Sequence, residues 1–451
     1  MARPTLLHLK RFFPTAARAR RAASRAMGRQ AGRVVALCHA LLSERGEASG
    51  ARLAREALSA YRALDEDSLH VFFDLLVRQF SPDPVEVDAC ATAYRRDPSQ
   101  ANLIALQYAV EPPRQELFRR LNMAPGGTAT LVDMRGRLLN DGVGRPEWAG
   151  IEADLVHLLS SWFNRGFLHL ERIDWRSSAL ILEKLIRYEA VHEIRSWDDL
   201  HRRLGPDRRC YAFFHPALRD EPLIFIEVAL TCGMASSVQP LLEPDSPPVD
   251  PASANCATFY SITSCQRGLR GISFGNMLIK QVAEDLGREF PRVRTFATLS
   301  PIPGFRSWLA GLAADEALAR LAARLETPGS LADGAASGDL ERELTRLCAW
   351  YLLHAKHGHE PLDSVERFHL GNGAQLERIN WRGDASPAGL ARSAGMMVNY
   401  VYRLDAVERN HEAYAREHRV VAHRRVEALA KESMLVRDDR KEGRAGGAKA
   451  A

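Results

Sequence analysis

The sequence predicts an α+β protein: an all-helical domain over residues 1–170, then a mixed-sheet domain over residues 171–435. Three observations carry this. From Ala16 to about Gly166 every segment has helical spacing, enough for about seven or eight short helices. Beyond Phe167 the texture changes to short runs of β-branched and aromatic residues. Those runs mix with amphipathic stretches instead of giving way to a second helical block. A chain of 451 residues is also too long for one compact core, so two domains are expected.

In the first part Leu69, Phe72, Phe73, Leu76 and Phe80 recur at intervals of three and four, behind start signals at Asp65 and Asp67. Leu155, Leu158, Leu159, Trp162 and Phe163 form a second stripe. Breaks fall at Ser81-Pro82-Asp83-Pro84, at Glu111-Pro112-Pro113, at Pro125-Gly126-Gly127 and near Pro146. Such stripes build a core, and no catalytic constellation stands out among them.

The second part opens with helices at Ala179–Arg187 and Asp198–Leu204. Strands follow at Arg209–His215, Leu223–Leu230 and Ala257–Ile262, with Leu241–Asn255 read as a mobile surface loop. A glycine-bearing turn (Gly268, Gly271, Gly275), a helix at Asn276–Arg288 and a strand at Val293–Leu299 come next. Helices are expected at Ser307–Leu325 and Asp339–Leu353, around a Gly/Ala/Ser loop at Gly329–Ser337. Arg367–Ala374 reads as a strand entering a tight Asn-Gly turn, and Trp381–Tyr402 as irregular and strand-like. A long charged helix at Val407–Glu432 closes the fold, leaving a disordered tail over residues 436–451.

Apolar residues make up 46% and charged residues 26%, as in ordinary soluble proteins. A net charge of +5 does not argue for a nucleic-acid-binding surface, and no window approaches a membrane span. The charge is uneven: no Asp or Glu precedes Glu44, while Lys10 and eight arginines lie between Arg3 and Arg33. That pattern is expected to be a basic surface helix of a cytoplasmic bacterial protein, the alternative being a mitochondrial transit peptide. The seven scattered cysteines imply reduced thiols, with Cys265 placed beside the turn.

Chemistry concentrates between Ser264 and Phe305. Backbone N–H groups at a helix starting near Gly275 suit a phosphate, and Arg267, Arg270 and Lys280 add positive charge. Ser300 sits where strand becomes loop in Thr298-Leu299-Ser300-Pro301-Ile302-Pro303-Gly304-Phe305, with its backbone fixed by two prolines. His369 lies in the expected Arg367–Ala374 strand. Taken singly, the turn suits tight packing, the serine suits a turn, and the histidine suits a structural role as well as a catalytic one.

Arg270-Gly271-Ile272-Ser273-Phe274-Gly275-Asn276 resembles the pyrophosphate-binding signature of the GNAT acyl-CoA superfamily, with Ser273 replacing its middle glycine. Trp162–Arg172, Arg208–Tyr211, the turn, SPIPGF, Leu347–Gly358, Phe368–Ala374, Arg378–Trp381 and Asn399–Tyr402 together resemble the malonyl-CoA decarboxylase family, in matching order from about residue 155 to 405. The resemblance implies a helical oligomerisation domain, a GNAT-like catalytic domain, a homotetramer, and conversion of malonyl-CoA to acetyl-CoA and CO2 without metal or organic cofactor. It places the catalytic serine on Ser300, the catalytic histidine on His369 and a tyrosine near the acyl site on Tyr402. It also places substrate binding on Arg270, Gly271, Ile272, Ser273, Phe274, Gly275 and Asn276. Animal members carry glutamate where Ser273 stands, so that position departs from the pattern. Two rivals stay open: a GNAT-type acyltransferase and a non-catalytic malonyl-CoA sensor.

Overall fold

The structure, a computed structural model, describes residues 13–272, 278–312, 316–326 and 335–435. It divides into two units. The first comprises Met1–Leu168, His215–Arg219 and Gln266–Ser273; the second comprises His169–Phe214, Asp220–Cys265 and Phe274–Ala451.

Helices α1 (Phe13–Ser43), α2 (Glu47–Arg62), α3 (Glu66–Gln79), α4 (Pro84–Arg96), α5 (Gln100–Val110), α6 (Pro113–Asn122), α7 (Gly127–Asp141) and α8 (Ala149–Trp162) form the first unit. Their starts follow capping chemistry. Asp65 accepts the Ser68 N–H at 2.8 Å before α3, and Asp83 accepts the Val85 N–H at 2.9 Å before α4, with Pro84 in the first turn. Apart from half-buried Trp162, the residues of the expected stripes are buried as a core, joined by Trp148, whose indole N–H donates to Asp74. By contrast α4 buries none of its residues, and Ile104, Tyr108 and Val110 of α5 are exposed.

The glycine turn belongs to this unit as far as Ile272, the last described residue before α12. A 3-10 turn at Arg267–Leu269 lies against α7, where the Arg135 guanidinium donates to the carbonyls of Gly268 (2.7 Å) and Arg270 (2.8 Å). Gly268 is required by closeness, because a Cβ there would meet the Val132 carbonyl oxygen at 1.8 Å. Gly271 takes the left-handed conformation, φ +79°.

The second unit runs β1 (His169–Ile173), α9 (Ala179–Tyr188), α10 (Trp197–Arg203), β2 (Arg208–Phe214), β3 (Ile224–Thr231), α11 (Gln239–Leu242), β4 (Cys256–Ser264), α12 (Leu278–Glu289), β5 (Thr295–Thr298) and β6 (Ser300–Pro301). It continues α13 (Phe305–Gly311), α14 (Glu316–Glu326), α15 (Ala335–His354), β7 (Lys356–His357), β8 (Glu360–Pro361), α16 (Ser364–Gly371), β9 (Gln375–Asn380), α17 (Pro387–Ser393), β10 (Met397–Val401), α18 (Val407–Glu417) and α19 (Arg424–Lys431). The main sheet has the order β1-β2-β3-β4-β5-β10-β6, with β9 also pairing β10. Pairs are antiparallel except β4·β5, which run parallel, with α12 between them in sequence. All residues of β2 and β10 are buried, so both faces of the sheet's middle are covered. A helical first part followed by a mixed-sheet part is the fold class expected from the sequence.

Three local expectations are corrected. Arg367–Ala374 is not a strand: Ser364–Gly371 is helix α16, started by the Asp363 carboxylate and stopped at Asn372-Gly373. Asn-Gly serves a hairpin turn and a helix C-terminus equally well, and here Gly373 is left-handed (φ +78°) against the Val407 carbonyl. The expected Val407–Glu432 helix is two, α18 and α19, broken after Glu417 where His418 turns left-handed. Trp381–Tyr402 contains a short helix, α17, capped by Ser386, before β10. The expected tail over residues 436–451 and most of the Gly/Ala/Ser loop lie outside the described residues.

Gly268→Ala must push the turn off α7 and should destabilise the protein by about 1–3 kcal/mol. Urea unfolding followed by circular dichroism measures this, and an unchanged midpoint would refute the close approach.

Candidate active site

Strand β5 ends at Thr298, and β6 begins two residues later at Ser300, so both side chains lie on one side of the extended backbone. Pro301 and Pro303 stiffen the exit into α13. Along β10 and the residue that follows it, alternation puts Tyr400 and Tyr402 on a common face, the Tyr402 N–H donating to the Phe296 carbonyl. Helix α16 brings His369 to these residues.

The result is a chain of buried hydroxyls and one imidazole. Ser300 Oγ lies 2.9 Å from His369 Nε2, and His369 Nδ1 lies 2.8 Å from the Tyr402 hydroxyl. The Ser300 hydroxyl donates to Thr298 Oγ1 at 2.9 Å, and Thr298 Oγ1 also accepts the Tyr400 N–H at 3.1 Å. Since the one serine proton points at Thr298, the network assigns the His369 proton to Nε2, donating to Ser300. Nδ1 then accepts from Tyr402. The Tyr400 ring stacks on the imidazole at 4.5 Å between centroids. Asn399 fixes the strand end, its amide donating to the Thr298 carbonyl at 2.6 Å.

Burial governs the electrostatics. His369 is 2% exposed, and desolvation holds its pKa down to about 3, so the imidazole is neutral. Burial pushes the Tyr400 and Tyr402 hydroxyls well above the usual phenol range. Behind His369 on α16, burial raises the Asp363 carboxyl, and raises that of Glu366 far more. Asp363 accepts the N–H groups of Val365 (2.9 Å), Glu366 (3.1 Å) and Gly304 (3.3 Å), and the Tyr351 hydroxyl lies at 3.5 Å. One carboxylate thereby ties the helix carrying His369 to the loop carrying Ser300.

A cavity of about 210 Å³ opens beside this chain. Ser300 and His369 line it together with the C-terminal half of β4 and with Val365 and Phe368 of α16. Its walls are largely apolar, with Phe259, Ile262, Leu299 and Phe368 among them. It lies where the parallel strands β4 and β5 end, the place where open sheets hold ligands.

Of the residues singled out from the sequence, Ser300, His369 and Tyr402 are therefore within one hydrogen-bonded chain. Arg270, Gly271 and Ile272 lie in the turn of the first unit, while Ser273, Phe274, Gly275 and Asn276 are outside the described residues. Lys280 pairs with Glu408 at 2.7 Å. Cys265 donates to the Thr263 carbonyl, and burial pushes its thiol up, so it is not a reactive thiolate. Thr298, Tyr400 and Asp363 were missed. The signal for the first two was their i, i+2 spacing from Ser300 and Tyr402. For Asp363 it was helix-start chemistry, hidden by the strand reading.

Comparison with known proteins follows the same outline. A family model described as malonyl-CoA decarboxylase C-terminal domain matches residues 166–441, and one described as malonyl-CoA decarboxylase N-terminal domain matches residues 80–163. The chain is 37% identical over 406 residues to the mitochondrial malonyl-CoA decarboxylase of the goose Anser anser anser, covering 80% of each. Among solved structures, malonyl-CoA decarboxylase from Rhodopseudomonas palustris is 49% identical with a TM-score of 0.85, over 89% of this chain and 99% of that one. The Agrobacterium vitis protein is 46% identical with a TM-score of 0.82, over 88% and 99%.

The His369 pKa of about 3 lies below the ordinary value of 6.5, so between these the unfolded chain binds the extra proton. This contribution to stability is complete above pH 6.5 and lost as pH falls toward 3. His369→Asn should flatten the acid loss of stability by up to ~1.4 kcal/mol per pH unit in that window. Urea titrations at a series of pH values test this; parallel curves for the two proteins would contradict it.

Proposed function

The chain belongs to the malonyl-CoA decarboxylase family, and we propose that Ser300, His369 and Tyr402 carry the decarboxylation of malonyl-CoA to acetyl-CoA and CO2. The observation behind this reading is the hydrogen-bonded sequence Tyr402–His369–Ser300 at the wall of the 210 Å³ cavity. As a family member the chain is a carboxy-lyase.

When the malonyl C–C bond breaks, its electron pair moves into the thioester and forms an enolate, and the carboxylate leaves as neutral CO2. The Ser300 hydroxyl, rotated from Thr298 toward the thioester oxygen, stabilises the enolate while still accepting from His369. A positioned donor of this kind contributes roughly 3–4 kcal/mol in a dry site. The apolar cavity wall withholds water from the carboxylate, which favours its loss as CO2. A proton then passes along Tyr402, His369 and Ser300 to carbon. In this reading the CoA end is held by the turn residues Arg270 to Asn276, and every step is assigned to the chain's own side chains.

We also place a second copy of the chain on α4 and α5. Helix α4 buries nothing, and Val85, Tyr108 and Val110 are 78%, 74% and 46% exposed, an apolar surface suited to homo-oligomers up to the tetramer. Among the described residues no helix is long and apolar enough to cross a membrane. The cytoplasm of a bacterium is the proposed compartment, with the mitochondrial matrix as the alternative.

Purified protein with malonyl-CoA labelled at its free carboxyl should release labelled CO2 and form acetyl-CoA. Transfer of an acyl group to an acceptor, or bound but unchanged substrate, would favour the acyltransferase or the sensor instead. Ser300→Ala and His369→Asn should each lower kcat by about a hundredfold or more, and wild-type rates in both would overturn the site. Tyr108→Glu combined with Val110→Glu should lower the mass measured by light scattering, with the fold intact by circular dichroism.

A further inference from the structure

Each turnover consumes one proton, because a carboxylate leaves as neutral CO2 and the carbon left behind takes a hydrogen. The relay at the site is poorly supplied for this. His369 is neutral and holds one ring proton between Tyr402 and Ser300. Passing that proton on and taking the Tyr402 proton leaves a buried tyrosinate, so the relay ends a cycle one proton short.

One turn back on α16 stands Glu366, fully buried, with neither carboxyl oxygen hydrogen-bonded. Glu366 and His369 stand at i and i+3 of this helix, the spacing that makes helical residues surface neighbours, roughly 5–6 Å apart at Cβ. The Tyr400 hydroxyl, whose ring lies on the imidazole, is likewise buried without a partner. Two carboxyls thus sit at the head of α16 in opposite environments. Asp363 takes every cap hydrogen bond, while Glu366 receives none. Such a pair divides its roles, the solvated or bonded member carrying charge and the dry one holding a proton.

We propose that Glu366 is a neutral carboxylic acid that serves as the proton store for the His369 relay. The Glu366 O–H bond breaks and its proton forms the O–H bond of the Tyr402 tyrosinate, which restores the relay, and the Glu366 carboxylate left behind takes a proton from solvent before the next turnover. The surroundings fit a store better than an ion pair. On α16 itself the ionisable neighbours are Asp363 and Arg367, and the Arg367 guanidinium is engaged by the Pro361 and Leu362 carbonyls. Lys356 of β7 is taken by the His418 carbonyl. Tyr400 of β10, Cys348 and Tyr351 of α15 and Tyr414 of α18 complete the shell, and all four are neutral groups whose pKa is raised by burial.

This inference rests on the relay proposed above, and the test separates the two. Glu366→Gln and Glu366→Met remove the proton while keeping similar volume, and both should fold, since neither breaks a hydrogen bond. Steady-state kcat should fall about tenfold or more with KM within about twofold, while a rapidly mixed first turnover keeps its rate because the relay starts loaded. Infrared spectra at about pH 8 should show a protonated-carboxyl band in the wild type that is missing in Glu366→Gln. Unchanged kcat, absence of that band, or a first turnover slowed in step with kcat would each overturn the store. If Ser300→Ala and His369→Asn stay active, the relay itself fails; if they are dead and Glu366→Gln is normal, only the store fails.

Discussion

The Asp363 carboxylate is the constraint on which the site depends. It starts α16 by accepting the Val365 and Glu366 N–H groups, and it accepts the Gly304 N–H of the loop leaving β6. A helix of eight residues has little intrinsic stability, so its register must be set from outside. Here one side chain sets it against the segment that carries Ser300. The 2.9 Å spacing between Ser300 and His369 is a consequence of that tie as much as of either residue's own backbone.

Around this anchor the site is dry, and dryness decides its chemistry. An exposed imidazole would titrate near neutrality, but desolvation keeps His369 uncharged. The hydroxyls of Thr298, Ser300 and Tyr402 supply polarity without net charge. In the proposed reaction a substrate carboxylate entering such a place would meet few groups that stabilise it, which would favour its loss as CO2.

The sequence exposed the architecture through periodicity: the stripes in the first unit and the β-branched runs at β2, β3 and β4 are long and regular. It exposed Ser300, His369 and Tyr402 through motif order, which is blind to local conformation. His369 was placed on a strand because Phe-His-Leu-Gly-Asn-Gly has strand composition and a hairpin-like end. The deciding residue, Asp363, lies six positions upstream, and its effect is visible only as a cap. Thr298 was readable only as an i, i+2 neighbour of Ser300, and the hydrogen bond between them was not. The burial of Glu366 was not legible at all, because nothing in one dimension says that a glutamate lacks a partner.

The glycine turn has a bearing on how this chain can be taken apart. Gln266–Ser273 and His215–Arg219 group with the helices, although the sequence on either side of each belongs to the sheet. The polypeptide therefore threads from one unit to the other and back twice, and no single cut separates them. A truncation after the last N-terminal helix would leave the Gly268 and Arg270 carbonyls without the Arg135 guanidinium. The family's two named regions are divisible as text but not as objects, and an excised sheet portion would carry two segments folded for a partner it no longer has.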